Sequence, residues 1–173
     1  MFDQCFSTLA NYNKVTNEHM NTYILNITSN IWDRTFNGYF DSIHELCSHI
    51  YICDFNWLKR FHKLREFKIF NNNMFKNNYN FSEIIFENIN EYIQKRNVMD
   101  QIIIEFINEL NQNDIESVLE FKDSKGTNII RKMEPLIIHM FNHQTHHRGM
   151  ISLYLEFLGI ENDFSGSLYK TNF

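Results

Sequence analysis

Histidines are concentrated in one short segment of the chain. The stretch HMFNHQTHHRGM, from His139 to Met150, contains four of the eight histidines of the protein. A neutral imidazole binds divalent metal ions through a ring nitrogen, and it also exchanges protons near neutral pH. The segment therefore has three candidate roles: metal binding, proton transfer, or a chance grouping of structural histidines.

The spacing of His143 and His147 puts both rings on one side of a helix. Residues four apart lie about one turn from each other, and both histidines fall on a stripe with Leu136, Met140, Met150, Ile151 and Tyr154. A buried imidazole needs a polar partner, and a pair at this spacing can chelate one ion. His139 precedes His143 by four residues and forms the rival pair. From spacing alone, metal ligands and singly hydrogen-bonded histidines remain equally open.

A third ligand is offered by the segment SIHELCSHIYICDFNWLKRF, residues 42–61. His49 lies beside an apolar stripe formed by Leu46, Ile50, Cys53 and Trp57, whereas His44 points to the opposite side and His62 lies near the end of the segment. Two histidines on one helix and one on a neighbour make a three-histidine set. Cys53, one turn beyond His49, could reach a soft metal, but a buried free cysteine is more often a small apolar side chain.

Long helices are the elements expected to position these residues. The 173 residues are 43% hydrophobic and include only 5 Gly and 1 Pro, which favours one packed helical domain over a many-stranded fold. Apolar residues at three- and four-residue intervals predict helices near residues 5–27, 42–64 and 82–111. Ser42 with Glu45 predicts a capping box, and Ser82 is a candidate cap for the third helix. The Asn-rich stretch 67–80 predicts a loop.

The pattern changes before the last helix. SVLEF and TNIIR flank KDSKG, and β-branched and aromatic residues on both sides of a Gly-containing turn predict a short β-hairpin around Asp123 to Gly126. A fourth helix is predicted from Pro135 to Leu158, with Gly159 as the residue that ends it. The predicted fold is therefore an all-α four-helix bundle with a hairpin before the last helix.

Composition argues against several classes of partner. The net charge is −5 and no run of Lys or Arg forms a patch, which disfavours nucleic-acid binding. No apolar run approaches the roughly 18 residues that span a membrane, and MFDQCFSTLANYN lacks the features of a signal peptide. Three cysteines without a CxxC pair, at positions 5, 47 and 53, are typical of a reduced cytoplasmic protein.

The chain resembles the DinB family, within the DinB/YfiT-like group, over nearly its whole length. LANYNKVTNEHM is similar to the first helix of that family, and SIHELCSHIYICDFNWLKRF to its histidine-bearing second helix. LEFKDSKGT resembles the hairpin, and HMFNHQTHHRGMISLYLEFLGI the last helix. The string NHQTHHRG is the most specific feature. Met150 stands where the family usually has Gln, a departure that leaves the candidate ligands untouched.

The resemblance implies one four-helix-bundle domain over residues 1–173 that binds one divalent metal ion, commonly nickel or zinc. The ligands it implies are His49, His143 and His147, which are also the three histidines selected by the helical stripes. It further implies a homodimer and a metal-dependent enzyme for a small molecule. Relatives in the wider superfamily use low-molecular-weight thiols, which favours a thiol-dependent transferase. The alternatives are a metal-dependent hydrolase and a metal-binding stress-response protein without catalysis.

Other candidates have simpler interpretations. His146 lies toward the edge of the stripe, so a metal-binding or supporting role is the less favoured interpretation. Tyr12 and Asn17 occupy positions similar to family residues, and packing or a hydrogen bond inside the bundle is expected. Arg148 is expected at the surface or an interface. The sequence shows no Ser-His-Asp set, Gly-rich phosphate loop or paired acidic residues on a core face, so no catalytic residue other than the metal ligands is predicted.

Overall fold

Four long helices make up most of the protein, for which a computed structural model describes residues 2–123 and 125–170. In chain order the elements are α1 (Phe2–Ile24), α2 (Ser29–Trp32), α3 (Ile43–Phe61), two 3-10 turns (Lys68–Asn71 and Asn73–Lys76), α4 (Ile89–Glu109), α5 (Gln112–Glu116), β1 (Val118–Lys122), β2 (Asn128–Lys132), α6 (Met133–Phe157) and α7 (Ser167–Lys170). The predicted helical bundle with a hairpin before the last long helix is confirmed.

The four long helices form a ring in which each packs against two others. Both α1 and α3 contact α4 and α6, so the order around the bundle is α1, α4, α3, α6. The apolar stripes of these helices meet in one continuous core, and burial of those side chains is the main stabilising term. Pairing of α3 with α6 sets the histidine-bearing faces of the two helices side by side. No helix in the described ranges is both long and apolar enough to cross a bilayer.

The hairpin covers one end of this pair of helices. Strands β1 and β2 are antiparallel, with Glu120 opposite Ile130, and Gly126 adopts a left-handed φ of 82° in the turn. Leu119 and Phe121 point inward and are buried, while their neighbours on β1 face solvent. This alternation is that of a two-stranded sheet packed on one face only.

The helix ends predicted from the sequence are confirmed only in part. The Ser42 hydroxyl accepts the backbone N–H of Glu45 at 3.1 Å, but the Glu45 carboxylate accepts from Asp41 rather than from Ser42, so only half of the capping box forms. The last helix begins two residues before Pro135. Gly159 ends it as predicted, with φ 76° and an Ile160 N–H bonded to the Leu155 carbonyl at 3.0 Å.

The prediction that the third long helix begins at Ser82 is wrong. It begins at Ile89, where the Asn88 side chain accepts the backbone N–H of Glu91. The preceding residues cross α3 in an irregular path instead. Phe86 is buried against Tyr51 and Tyr92, and the N–H of Ile85 reaches the hydroxyl of Ser48 at 3.3 Å. Tertiary packing thus outweighs the local helix signal in this segment.

Candidate metal centre

Three histidine nitrogens converge where α3 faces α6. Nε2 of His143 lies 3.2 Å from Nε2 of His49 and 3.0 Å from Nε2 of His147. The pair on α6 is brought together by its four-residue spacing, and His49 is brought to it by helix packing across 94 positions of sequence. The three histidines predicted as ligands therefore lie together, with His143 in the middle.

The distances between these nitrogens fit a shared ion. Ligand nitrogens about 2.0–2.1 Å from one metal stand roughly 3 Å apart when they occupy neighbouring corners of its coordination shell, as the two Nε2 separations do. Hydrogen bonding alone explains the cluster less well, because the one N–H that a neutral imidazole carries serves a single acceptor. The donor atoms and their spacing are thus compatible with metal binding.

Cys53 extends the cluster on the side of α3. Its Sγ atom lies 3.5 Å from Nε2 of His49, and the ligand atoms of His49, Cys53 and His143 all lie within 4.8 Å of one another. This His/Cys/His group could hold a metal ion. His49 and His143 consequently belong to two overlapping donor sets, one completed by His147 and the other by Cys53.

Burial keeps the imidazoles neutral. Desolvation is the main cause that lowers the pKa of His143 to about 4 and of His147 to about 3, with repulsion among the neighbouring imidazoles adding to it. Desolvation also lowers the pKa of His49, and hydrogen bonding to the backbone of Phe81 opposes this change. Burial also raises the pKa of the Cys53 thiol to about 12. At neutral pH all three rings carry a free lone pair, as metal ligation requires.

The ring nitrogens that point away from the cluster differ in the contacts that they make. Nδ1 of His49 lies 3.8 Å from Sγ of Cys53, and hydrogen bonding to the backbone of Phe81 opposes the lowering of the His49 pKa. Within the described part of the chain, the Nδ1 atoms of His143 and His147 are buried without a hydrogen-bond partner. Packing, rather than hydrogen bonding, therefore sets the orientation of the two rings on α6.

Phe40 covers the cluster from the segment between α2 and α3. Its ring centroid lies 4.4 Å from that of His49 and 5.3 Å from that of His147. The Tyr154 hydroxyl donates to the Phe40 carbonyl at 2.6 Å, and its ring stacks on Phe36 at 4.2 Å. Tyr154, one of the stripe residues, therefore fixes the apolar cover over the histidines.

The two remaining histidines of the segment lie outside this cluster. His139 is exposed, and its ring lies against Trp57 at 5.3 Å and 6.1 Å from that of His143. His146 is also exposed, with its ring 4.8 Å from that of His147. The rival His139/His143 pair does not bring its rings as close as the His143/His147 pair, at 4.3 Å.

The expectation that Arg148 lies at the surface is wrong. It is 3% exposed and donates to the side-chain oxygens of Asn13, Asn17 and Gln144 at 2.5, 3.1 and 3.2 Å. Consecutive helical residues point about 100° apart, so the turn that sends His147 toward α3 sends Arg148 toward α1. Asn17 forms the bundle hydrogen bonds expected of it, and the Tyr12 ring lies 5.7 Å from the Arg148 guanidinium.

A buried acidic pair was also missed by the sequence interpretation. Asp54 and Asp100 are each 1% exposed, and Arg96 bridges them with contacts of 2.6 and 2.8 Å. Burial raises the pKa of Asp54 to about 6, although the charge of Arg96 opposes that rise. The signal available was the four-residue spacing of Arg96 and Asp100. Both carboxylates face the bundle interior rather than the histidine cluster.

The fold and this group together define a helical-bundle protein with a His/Cys/His group that could hold a metal ion. The chain matches the family model described as DinB family over residues 1–165, and it belongs to that family. A comparison with curated proteins gives no match.

Proposed function

We propose that this DinB-family protein binds one divalent ion, nickel or zinc, through Nε2 of His49, His143 and His147, and uses it in a thiol-dependent transfer reaction on a small molecule. The observation that carries the proposal is the convergence of the three Nε2 atoms at 3.0 and 3.2 Å. Three neutral ligands leave a coordination position open, which is the arrangement of catalytic rather than structural zinc sites.

The chain contributes a partly buried setting in which the imidazoles are neutral. A divalent ion supplies Lewis acidity, which lowers the pKa of a thiol or of water bound beside it. Phe40 and its Tyr154 hydrogen bond exclude solvent from one side of the cluster. Among the described residues, no carboxylate bonds to the three imidazoles, since Asp54 is held by Arg96 and Gln144. A thiol needs less help from a separate base than water does, which favours transfer over hydrolysis.

Metal analysis tests the first half of the proposal. Untagged protein should contain about one metal ion per chain, and His49→Ala, His143→Ala and His147→Ala should each lose most of it. His139→Ala and His146→Ala are the matched controls, since both rings lie in the same segment but outside the cluster. Retention of full metal by all three ligand variants, with native circular dichroism, would refute the assignment.

A substrate panel tests the second half. Metal-loaded protein is mixed with cellular thiols and electrophiles, and the electrophile concentration is followed. Consumption of an electrophile that depends on the thiol and is absent in His147→Ala would support transfer. Turnover with water alone would replace this proposal by metal-dependent hydrolysis. A bound metal without any turnover would favour a non-catalytic metal-binding stress-response protein.

We further propose that the protein is a cytoplasmic homodimer. Its cysteines are free thiols, as in reducing compartments. On the outer side of α6, Leu153 and Phe157 lie one turn apart and are 45% and 66% exposed, which offers apolar surface to a second copy. Equilibrium ultracentrifugation should give twice the chain mass of 21.0 kDa, and Phe157→Ser should shift it toward the monomer. A monomer at all concentrations would exclude the dimer.

A further inference from the structure

A cavity of about 390 Å³ lies between the end of α3 and the segment 78–81, and its lining is strongly basic. Lys59, Arg60 and Lys63 all line it, and the described lining includes no acidic residue. The remaining walls are asparagine and aromatic side chains. This charge excess stands out in a chain whose net charge is −5, and it favours an anionic occupant.

Arg60 is held in place without an acidic partner. Its guanidinium carbon lies 4.7 Å from the ring centroid of Trp57, 5.1 Å from Phe121 and 5.8 Å from Phe81. Within the described ranges its side chain forms no hydrogen bond or ion pair. Asp123 acts on its charge at longer range, but that carboxylate already accepts the N–H groups of Lys125 and Thr127. A guanidinium stacked on aromatic rings keeps its N–H edges available for an oxyanion.

Helix electrostatics alone does not explain this arrangement. Cations in a last helical turn offset the partial negative charge of the helix end, and Lys59 is accounted for by bonds to Asn77 and Asn78 at 3.2 and 2.8 Å. Arg60 has no such bond and is instead half-buried among the aromatic rings. Its guanidinium is therefore positioned for a ligand that the protein itself does not provide.

The basic cavity adjoins the candidate metal centre. Phe81 lines the cavity, and its backbone is near enough to His49 to oppose the lowering of the pKa of that histidine. Trp57 contacts both Arg60 and His139. At about 100° per residue, Arg60 falls on the same face of α3 as His49. An extended molecule could thus reach from the histidines to the cavity.

We propose that this cavity, with Arg60 and Lys63 as its main ligands, binds a phosphate group carried by the small-molecule substrate. Two main cationic ligands, with Lys59 adding positive charge nearby, match a phosphate dianion better than a single carboxylate. The link to a substrate rests on the function proposed above, whereas oxyanion binding itself needs no metal. Arg60 is a specificity-determining residue in this proposal, because it selects molecules whose phosphate group lies at a distance from the reacting atom.

The test uses inorganic phosphate and metal-free protein, so that phosphate cannot bind to an ion. Calorimetric titration at constant ionic strength should show saturable binding, and Arg60→Gln should weaken it about tenfold or more, because charged hydrogen bonds are lost. Lys63→Gln should weaken it less, and Arg60→Lys should fall between wild type and Arg60→Gln. Arg34→Gln is the matched control, since Arg34 also lies over a phenylalanine ring, 5.7 Å from Phe36, but away from the cavity.

Fluorescence locates the bound anion. Of the two tryptophans, Trp57 touches Arg60 and Trp32 stacks on His44, so phosphate should change the emission of wild type but not of Trp57→Phe. Equal phosphate affinity in wild type, Arg60→Gln and Lys63→Gln would overturn the proposal, as would the absence of saturable binding. Phosphate binding that survives in His147→Ala while metal is lost separates the two sites. Stoichiometric metal without phosphate binding would refute the oxyanion site alone.

Discussion

Tyr154 and Phe40 are joined by a hydrogen bond of 2.6 Å from the tyrosine hydroxyl to the phenylalanine carbonyl, across 114 positions of sequence. The bond ties α6 to the segment before α3, and that segment covers the histidine cluster with the Phe40 ring. The position of the cover therefore depends on a residue of the same helix that carries two of the candidate ligands.

Tyr154→Phe should loosen this cover without dismantling the site. Loss of one buried hydrogen bond should lower the free energy of unfolding by about 1 kcal/mol, and bound metal should be released to a chelator faster at unchanged stoichiometry. Urea unfolding and chelator kinetics measure the two effects. Tyr39→Phe is the control, since Tyr39 is 89% exposed. Equal metal-release rates in wild type and Tyr154→Phe would contradict this role of the hydroxyl.

Gly38 is predicted to be coupled to the same hydroxyl. A Cβ atom on Gly38 would lie 2.0 Å from Oη of Tyr154 and 3.3 Å from its Cζ, so Gly38→Ala should destabilise the protein by about 1–3 kcal/mol, the usual range for overpacking. Because Tyr154→Phe removes the closer atom, it should cost less in the Gly38→Ala background than in wild type. A double-mutant cycle of unfolding free energies measures this coupling, and strictly additive values would exclude it.

Cys53 should be dispensable for metal binding if the three imidazoles are the ligands. Cys53→Ser should retain about one metal ion per chain, and cobalt-loaded wild type should lack sulfur-to-metal charge-transfer absorption. The reason is that His49, His143 and His147 already supply three donors. Loss of metal in Cys53→Ser, or a strong absorption band that disappears with it, would identify the His/Cys/His group as the coordinating set instead.

Arg96 should be among the most sensitive positions for stability. Its guanidinium bonds to Asp54 and Asp100 at 2.6 and 2.8 Å, and all three side chains are 1% exposed. Arg96→Met leaves two buried carboxylates without a cation, which should cost about 3–5 kcal/mol. Lys95→Met removes the neighbouring charge from a partly exposed pair with Glu91 and should cost at most about 1 kcal/mol. Similar urea midpoints for the two variants would count against the ion network.

The ion pair of Arg65 with Asp114 should make stability depend on pH. Hydrogen bonds from Arg65 are the first cause that lowers the pKa of Asp114 below its usual value. A carboxyl whose folded pKa is lowered contributes its full stabilisation above the unfolded pKa of about 3.9. The contribution is lost as pH falls through the folded pKa. Arg65→Gln should therefore be less stable than wild type at pH 7, and the difference should shrink below about pH 4. A difference that grows on acidification would contradict this assignment.

Helical periodicity was sufficient to predict the bundle and the grouping of His49 with His143 and His147, and the Gly-containing turn between β-branched and aromatic residues predicted the hairpin. The first two predictions depend on which side of an element a residue faces, and apolar stripes report this directly. The start of α4 could not be predicted from the same signal, because Phe86 and Ser48 hold residues before Asn88 against α3, and that packing involves distant parts of the chain.

The burial of charged side chains could not be predicted from sequence patterns. Arg148 was expected at the surface or an interface, and no core position was predicted for Asp54, since charged residues are rarely buried unless they are paired. Their partners come from α1, α4 and α6, so the pairing is visible only after the helices are packed. In both α3 and α6, a polar core residue directly follows a residue of the histidine cluster, as Asp54 follows Cys53 and Gln144 follows His143.

The separation of the candidate ligands along the chain also determines when they can come together. His49 and His143 are 94 positions apart, and the third long helix is made between them. A nascent chain on the ribosome therefore exposes one histidine of the set long before the other two exist. The three candidate ligands come together only after α6 has been synthesised and docked, so under the proposed function metal binding would follow folding rather than guide it.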